Sequence, residues 1–128
     1  MNPSWNITFG LFGILAGLAV GAPMARAFFE PAWLGGYGSL ERRLLRLAHI
    51  AFIALGAWNI VVGMALEQGV MHASSETWIC SSLVFGALMM PLLLLAAIRL
   101  RAALWVLPIP FLLVFGGTFG LALGRFAS

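Results

Sequence analysis

The sequence has 128 residues, of which 62% are hydrophobic and only 9% are charged. A soluble domain carries about a quarter of charged residues, so these few charges could not cover a surface that faces water. The composition therefore excludes a soluble enzyme and a disordered chain. The single cysteine, Cys80, excludes a scaffold of internal disulfide bonds.

Four apolar runs follow one another along the chain, each of roughly 20 residues, the length at which a helix crosses the ~30 Å of hydrocarbon in a bilayer. We therefore expect an all-α integral membrane protein, a single domain over residues 1–128 that forms a bundle of four transmembrane helices in the lipid bilayer. Pro91 should bend the third helix, and Pro108 and Pro110 should distort the first turns of the fourth. The predicted spans are 5–25, 42–66, 78–98 and 103–123.

The segment between the first two spans, from Glu30 to Ser39, contains one proline and three glycines and is predicted to be a loop. Ser39 is the expected N-cap of the second helix, with Glu41 next to the positive helix end. Trp33 and Tyr37 are expected at the level of the lipid head groups.

The arginines are distributed unevenly over the connections between the spans, and cytoplasmic loops of membrane proteins carry an excess of basic residues. We therefore expect the first and third loops in the cytoplasm, and the second loop and both termini outside, in a bacterial inner membrane; the alternative is the equivalent compartment of an organelle. This topology explains the net charge of +3, and we expect no nucleic acid as a partner. The first connection and the entry of the helix that follows it contain Arg26, Arg42, Arg43 and Arg46; the third connection contains Arg99 and Arg101, and only Arg125 lies elsewhere.

Stripes of glycine mark the helix faces that are expected to pack. Lipid provides no hydrophobic drive that brings helices together, so close contact between small residues must do so. The stripes predict packing within the bundle, and the alternative is that one of them contacts another subunit or a second copy of the chain. They consist of Gly10, Gly13, Gly17 and Gly21 in the first span, Gly56 and Gly63 in the second, and Gly116, Gly120 and Gly124 in the fourth.

Helical periodicity places the polar and small residues of the second span on one face, which is expected to contact protein. The remaining, apolar face is expected to contact lipid. The first set is Arg42, Arg46, His49, Gly56, Asn59 and Gly63, and the second is Leu44, Ile50, Ala51 and Leu55.

His49 lies roughly 7 Å inside the hydrocarbon by helical rise, and an ionisable side chain at this depth is a functional hypothesis by default. One interpretation is a neutral imidazole that is hydrogen-bonded to a neighbouring helix. The second is axial ligation of a haem or chlorin, for which Met64, Met89, Met90 or a partner chain would supply any second ligand. The third is a quinone or proton-path role beside Arg46.

Two further polar side chains carry predictions. The amide of Asn59 must be paired, because an unpaired amide in hydrocarbon costs several kcal/mol; its candidate partners are Ser81, Ser82 and Thr118. His72, in the outer loop, could bind copper together with neighbouring Met and Glu residues, although a solvated loop histidine is the interpretation that we prefer.

No nucleophile, phosphate-binding or metal-binding sequence motif occurs, and all four acidic residues fall near span ends. We therefore predict a small non-enzymatic subunit or accessory protein of a larger membrane complex, for which a respiratory or photosynthetic complex is the interpretation that we prefer. The first alternative is the haem, chlorin or quinone site at His49. The second is a dimeric transporter or channel, because Trp5 and Trp78, and likewise Arg26 and Arg99, are separated by the same interval, as in two parallel helical hairpins.

Overall fold

A computed structural model describes residues 2–69 and 76–126 of the chain. The long helices are α1 (Pro3–Met24), α3 (Leu40–Glu67), α4 (Glu76–Ala97) and α5 (Pro108–Phe126). The short α2 (Arg26–Phe29) and two 3₁₀ helices, Trp33–Gly35 and Arg101–Val106, lie in the connections. The prediction of an all-helical chain is confirmed for the described residues, and four helical segments are long and apolar enough to cross a membrane.

The boundaries of α3 follow from its flanking residues. The Ser39 hydroxyl accepts a hydrogen bond of 3.2 Å from the Arg42 amide, which confirms the predicted N-cap, and Glu41 lies in the first turn. The helix ends at Glu67 because Gly69 adopts a positive φ of 66°, which glycine tolerates without steric cost. Its amide donates to the Leu66 carbonyl and closes the last turn.

The connection between α1 and α3 is an irregular turn, as predicted, although α2 and a 3₁₀ helix extend over part of it. Leu34 has a φ of 49°, and Gly35 and Gly36 follow at 78° and 89°. A left-handed conformation is costly for leucine and cheap for glycine. This turn brings the Trp33 ring to the start of α3, where its centroid lies 5.7 Å from the Arg42 guanidinium carbon.

The fourth span begins with a 3₁₀ helix and becomes α-helical only at Pro108. Proline at the first helical positions removes amides that have no partner inside a helix, so Pro108 and Pro110 start α5 at little cost. The predicted distortion at this end of the span is therefore confirmed, and it takes the form of a change of helix type at Leu107.

Successive long helices run antiparallel, because residues nearer the C-terminus of one helix contact residues nearer the N-terminus of the next. The most extensive interface joins α1 to α3; α4 packs against α3 and α1, and α5 packs mainly against α4. A hydrogen bond of 3.1 Å from Trp58 Nε1 to Thr118 Oγ1 joins α3 to α5. This arrangement gathers the end of α1, the start of α3 and the end of α4 at one end of the molecule, where six arginines occur.

The buried side chains form two clusters, one towards each end of α3. Leu44, which we expected to face lipid, belongs to the second cluster and is only 3% exposed, whereas Ile50 is exposed as expected. The expectation for Leu44 is wrong because α3 contacts helices on two sides, α1 along its glycine face and α4 along Leu44 and Ala48. The first cluster contains Val62, Leu66, Ile79, Cys80, Leu83 and Leu121, and the second Leu44, Ala48, Leu94, Ala97 and Ala103.

Candidate functional site

The glycine stripe of α1 lies against α3 and brings the two backbones close together. A Cβ atom at Gly10 would lie 2.5 Å from the carbonyl oxygen of Gly56, and one at Gly13 would lie 3.4 Å from the Gly56 Cα. A Cβ at Gly17 would come within 2.6 Å of Ile53 Cγ1. These glycines therefore meet the second helix of the same chain, which is the approach that small residues permit between helices in lipid.

The other predicted glycines also lie at contacts within the chain, wherever their surroundings are described. A Cβ at Gly63 would lie 2.8 Å from the Pro3 carbonyl oxygen, and those at Gly116 and Gly120 would meet the Trp78 ring. Gly124 is half-buried. Gly117, which the stripe pattern did not include, is buried and would place a Cβ 2.6 Å from the Ser82 hydroxyl.

A buried pair of asparagines joins three helices. Asn6 Nδ2 donates to Asn59 Oδ1 at 2.8 Å and to the Cys80 carbonyl, while Asn59 Nδ2 donates to the carbonyls of Leu55 and Leu83. The residues are 0% and 2% exposed. Each Nδ2 thus has carbonyl acceptors, which fixes both amide orientations.

The expectation that a hydroxyl pairs with Asn59 is therefore wrong. The hydroxyls of Ser81 and Ser82 donate to backbone carbonyls of their own helix, and Thr118 accepts from Trp58. Hydroxyls in membrane helices commonly bond to their own backbone in this way. Asn6, the partner that sequence reasoning missed, is a lone amide in an apolar span, and that isolation was the available signal.

His49 lies at the contact between α3 and α1. Its Nδ1 is 2.8 Å from the Gly17 carbonyl oxygen, and because a carbonyl can only accept, Nδ1 donates and carries the proton. The ring covers Gly21, where a Cβ would lie 2.6 Å from His49 Cε1. This is the bond to a neighbouring helix that the first interpretation of His49 predicted. A hydrogen bond of the same kind also orients histidines that bind a metal through Nε2.

Next to this contact, a cleft of about 430 Å³ opens between the end of α1, the first connection and the first turns of α3. Gly21, which touches the His49 ring, forms part of its wall. Arg42 and Arg46 are its charged residues, and Trp33 and Tyr37 are its aromatic ones. The rest of the wall is apolar and consists of Met24, Ala25, Ala27 and Leu45.

The two arginines of the cleft interact with carbonyl groups and aromatic rings. Arg42 Nη2 donates to the Glu30 carbonyl oxygen at 2.9 Å, and Arg46 Nη2 donates to the Tyr37 carbonyl oxygen at 3.4 Å. The Arg46 guanidinium carbon lies 4.6 Å from the Tyr37 ring centroid, which is the geometry of a cation–π contact. Neither arginine forms an ion pair with any carboxylate of the described residues.

The acidic side chains at this end of the molecule pair with other arginines. Glu30 accepts two hydrogen bonds from Arg26, both of 3.0 Å. These bonds, together with the opposite charge, raise the pKa of Arg26 above its usual value. Glu41 lies 3.7 Å from Arg101 across the gap between α3 and the fourth span. The cleft consequently keeps two positive charges whose counter-ions are engaged elsewhere.

Sequence reasoning named His49 and Arg46 as a pair, and the structure places Arg46 in the cleft wall and His49 behind Gly21. Arg42, which it used for topology and placed on the polar face of the second span but not in a site, is the more deeply buried of the two arginines. Its position on the same face as Arg46, one turn away, was the available signal. His72 and its neighbour Met71 lie outside the described residues, and in the described part of the chain no three His, Cys, Asp or Glu side chains form a metal-binding group.

Comparison with known proteins gives no relative: no family model, no curated protein and no solved structure matches the chain. The function is therefore argued from the cleft alone.

Proposed function

We propose that this chain is a non-enzymatic integral membrane protein that holds the head group of a membrane amphiphile in the cleft beside His49. The observation that carries the proposal is the cleft itself, an apolar wall with two arginines at one end of the helices. Ligand sites are concavities of about 300–1,000 Å³ with a mainly apolar lining and a few polar groups that fix orientation. The cleft has this size and this composition.

The position of the cleft along the helices supports an amphiphile. Arg42 lies in the first turn of α3 beside the Trp33 ring, and the Tyr37 ring lies beside Arg46. Aromatic rings of this kind favour the boundary between hydrocarbon and head groups. Arg46 lies one turn further along α3, towards the hydrocarbon. A molecule with an apolar body and a polar head would therefore meet matching surroundings at both of its ends.

We further propose that this end of the molecule faces the cytoplasm of a bacterium whose inner membrane contains the protein. The gathering of six arginines at one end supports this orientation by the positive-inside rule. It places the loop before α4 and both termini outside.

The predicted membership of a respiratory or photosynthetic complex stays a prediction, as do haem or chlorin ligation by His49 and transport by a dimer. Gly13 and Gly17 contact α3 of the same chain, so these two glycines do not support a contact with a partner subunit or a second copy. Quinone remains within the proposed class of ligand, since a quinone is an amphiphile whose head would meet Arg46.

The test fills the cleft with a larger side chain and identifies the bound molecule that the purified protein then lacks. Ala27 forms part of the wall and is half-buried, so Ala27→Trp should exclude an occupant, while Ala54→Trp on the exposed face of α3 adds the same ring elsewhere. Each protein is purified in mild detergent and its extract is analysed by mass spectrometry. We expect an amphiphile to accompany the wild type and Ala54→Trp and to be depleted from Ala27→Trp. Equal extracts from all three proteins would refute the proposal.

A further inference from the structure

We propose that the amphiphile is anionic, and that the cleft binds the phosphate oxyanion of an anionic phospholipid; this inference rests on the proposed function and names the ligand class of the same site. Its basis is the state of the Arg42 side chain rather than the shape of the cleft. Three features of the described residues lead to it: a buried guanidinium without a counter-ion, a second arginine beside it, and an apolar wall.

Arg42 is a charged residue that the fold has removed from water without pairing it. It is only 6% exposed. Among the described residues, its guanidinium donates one hydrogen bond, from Nη2 to the Glu30 carbonyl, and its Nε is buried without any acceptor. The Trp33 ring, 5.7 Å away, offers a weaker contact. Burying a charge is costly unless an opposite charge and hydrogen bonds compensate it, so an anion in the cleft would supply the opposite charge that this guanidinium lacks.

Arg46 is the second arginine of the site. It lines the same cleft one helical turn further along α3, and it too lacks a carboxylate partner in the described part of the chain. Two guanidinium groups at adjacent turns suit a phosphate, which has several acceptor oxygens and which arginine binds through parallel hydrogen bonds. Basic pockets between transmembrane helices on the cytoplasmic side are also the places where anionic lipid head groups bind.

The charges around the cleft favour a net negative head over a zwitterionic or neutral one. A choline or ethanolamine cation would need a carboxylate or an aromatic ring as its partner. Glu30 is engaged by Arg26 and Glu41 by Arg101, and the Trp33 and Tyr37 rings already lie against Arg42 and Arg46. A neutral quinone head would leave the Arg42 charge uncompensated. The apolar part of the wall, with Met24 and Leu45, suits the first carbons of acyl chains and argues for a lipid rather than free phosphate.

The experiment titrates the purified full-length chain in detergent and counts bound ligand by native mass spectrometry. The probes are phosphatidylglycerol, phosphatidylcholine, a short-chain ubiquinone and inorganic phosphate. The variants are Ala27→Trp, Arg42→Gln and Arg46→Gln. Arg43→Gln is the matched control for the arginine variants, because Arg43 is the exposed neighbour on the same helix and its loss changes the net charge equally. Should Arg42→Gln fail to fold, Arg46→Gln tests the same site from a less buried position.

We expect phosphatidylglycerol to bind wild type at least about tenfold more tightly than phosphatidylcholine, and each cleft variant to weaken it by a similar factor, as the loss of a charge-assisted hydrogen bond implies. Arg43→Gln should change the affinity less than about twofold, since exposed charges contribute little. This pattern supports the inference.

Three results would overturn it, and they are distinguishable. If phosphatidylcholine or the quinone binds as tightly as phosphatidylglycerol and Ala27→Trp abolishes that binding, the anionic assignment fails and the proposed function stands. If inorganic phosphate binds as tightly as the lipid, the ligand is a free oxyanion and not a phospholipid. If no probe depends on Ala27, Arg42 or Arg46, both the inference and the proposed function fail.

Discussion

The close approach of α1 and α3 makes a sharp prediction about Gly10. A methyl group there would lie 2.5 Å from the Gly56 carbonyl oxygen, whereas 3.4 Å is an ordinary contact, so the two backbones must separate locally by about 0.9 Å, the difference between these distances. A gap of about that size removes a quarter to a half of the van der Waals attraction of each contact between α1 and α3. Overpacking of this kind costs about 1–3 kcal/mol, against about 1 kcal/mol gained from the helix propensity of alanine.

Gly120 provides the matched control. It is also a helical glycine, half-buried whereas Gly10 is buried, but a Cβ there would lie 3.4 Å from Trp78 and Ile79, at ordinary contact distance. Gly120→Ala should therefore keep the propensity gain and stabilise the protein by about 0.5–1 kcal/mol. Equilibrium unfolding in mixed detergent micelles, followed by tryptophan fluorescence, measures both variants. We expect Gly10→Ala to be about 1–3 kcal/mol less stable than Gly120→Ala, and equal stability of the two variants would refute the packing argument.

Further substitutions test the other contacts that hold the helices. Gly17→Leu should lower the thermal stability and yield of the protein far more than Leu18→Ala, because Gly17 touches Ile53 and Leu18 is exposed; similar values for both would contradict the role of the stripe. In a double-mutant cycle, Asn6→Ala and Asn59→Ala should show a coupling free energy of about 0.6–1.7 kcal/mol, the range of interhelical hydrogen bonds in membranes; a coupling of zero would mean that the bond contributes nothing. Ser39→Ala removes the cap of α3 and should cost about 1 kcal/mol, whereas Ser39→Thr keeps a hydroxyl that can accept from the Arg42 amide and donate to the Leu34 carbonyl, and should keep most of the stability; equal losses would contradict the cap.

The helices could be predicted because their signals are local. Apolar length determines where a chain can cross a bilayer, Ser39 and Gly69 supply the chemistry of a helix start and a helix end, and Pro108 suits a first helical turn. The side of α3 that faces lipid was only partly predictable, because one helical wheel does not show how many neighbours a helix has. Leu44 is buried since α4 covers a different face of α3 from the one that packs against α1.

The cleft was harder to predict because residues that are distant in the sequence form it. Arg42 and Arg46 lie one turn apart on one helix. Whether they lack a counter-ion depends on the folded structure, because it is there that Glu30 and Glu41 pair with other arginines. The pairing of Asn6 with Asn59 likewise depends on the register between α1 and α3. Sequence reasoning could identify each polar residue inside an apolar span, but it could not say which of them would meet.

The central claim is that the chain crosses the membrane with its arginine-rich end in the cytoplasm. In a Cys80→Ala background, single cysteines at Gly38 and Gln68 report the two ends, since a Cβ at Gly38 meets nothing within 4 Å and Gln68 is exposed. Labelling of intact cells or spheroplasts with a membrane-impermeant maleimide should modify the Gln68→Cys protein at once and the Gly38→Cys protein only after lysis. Modification of both proteins from the same side, or of Gly38→Cys alone before lysis, would contradict the account.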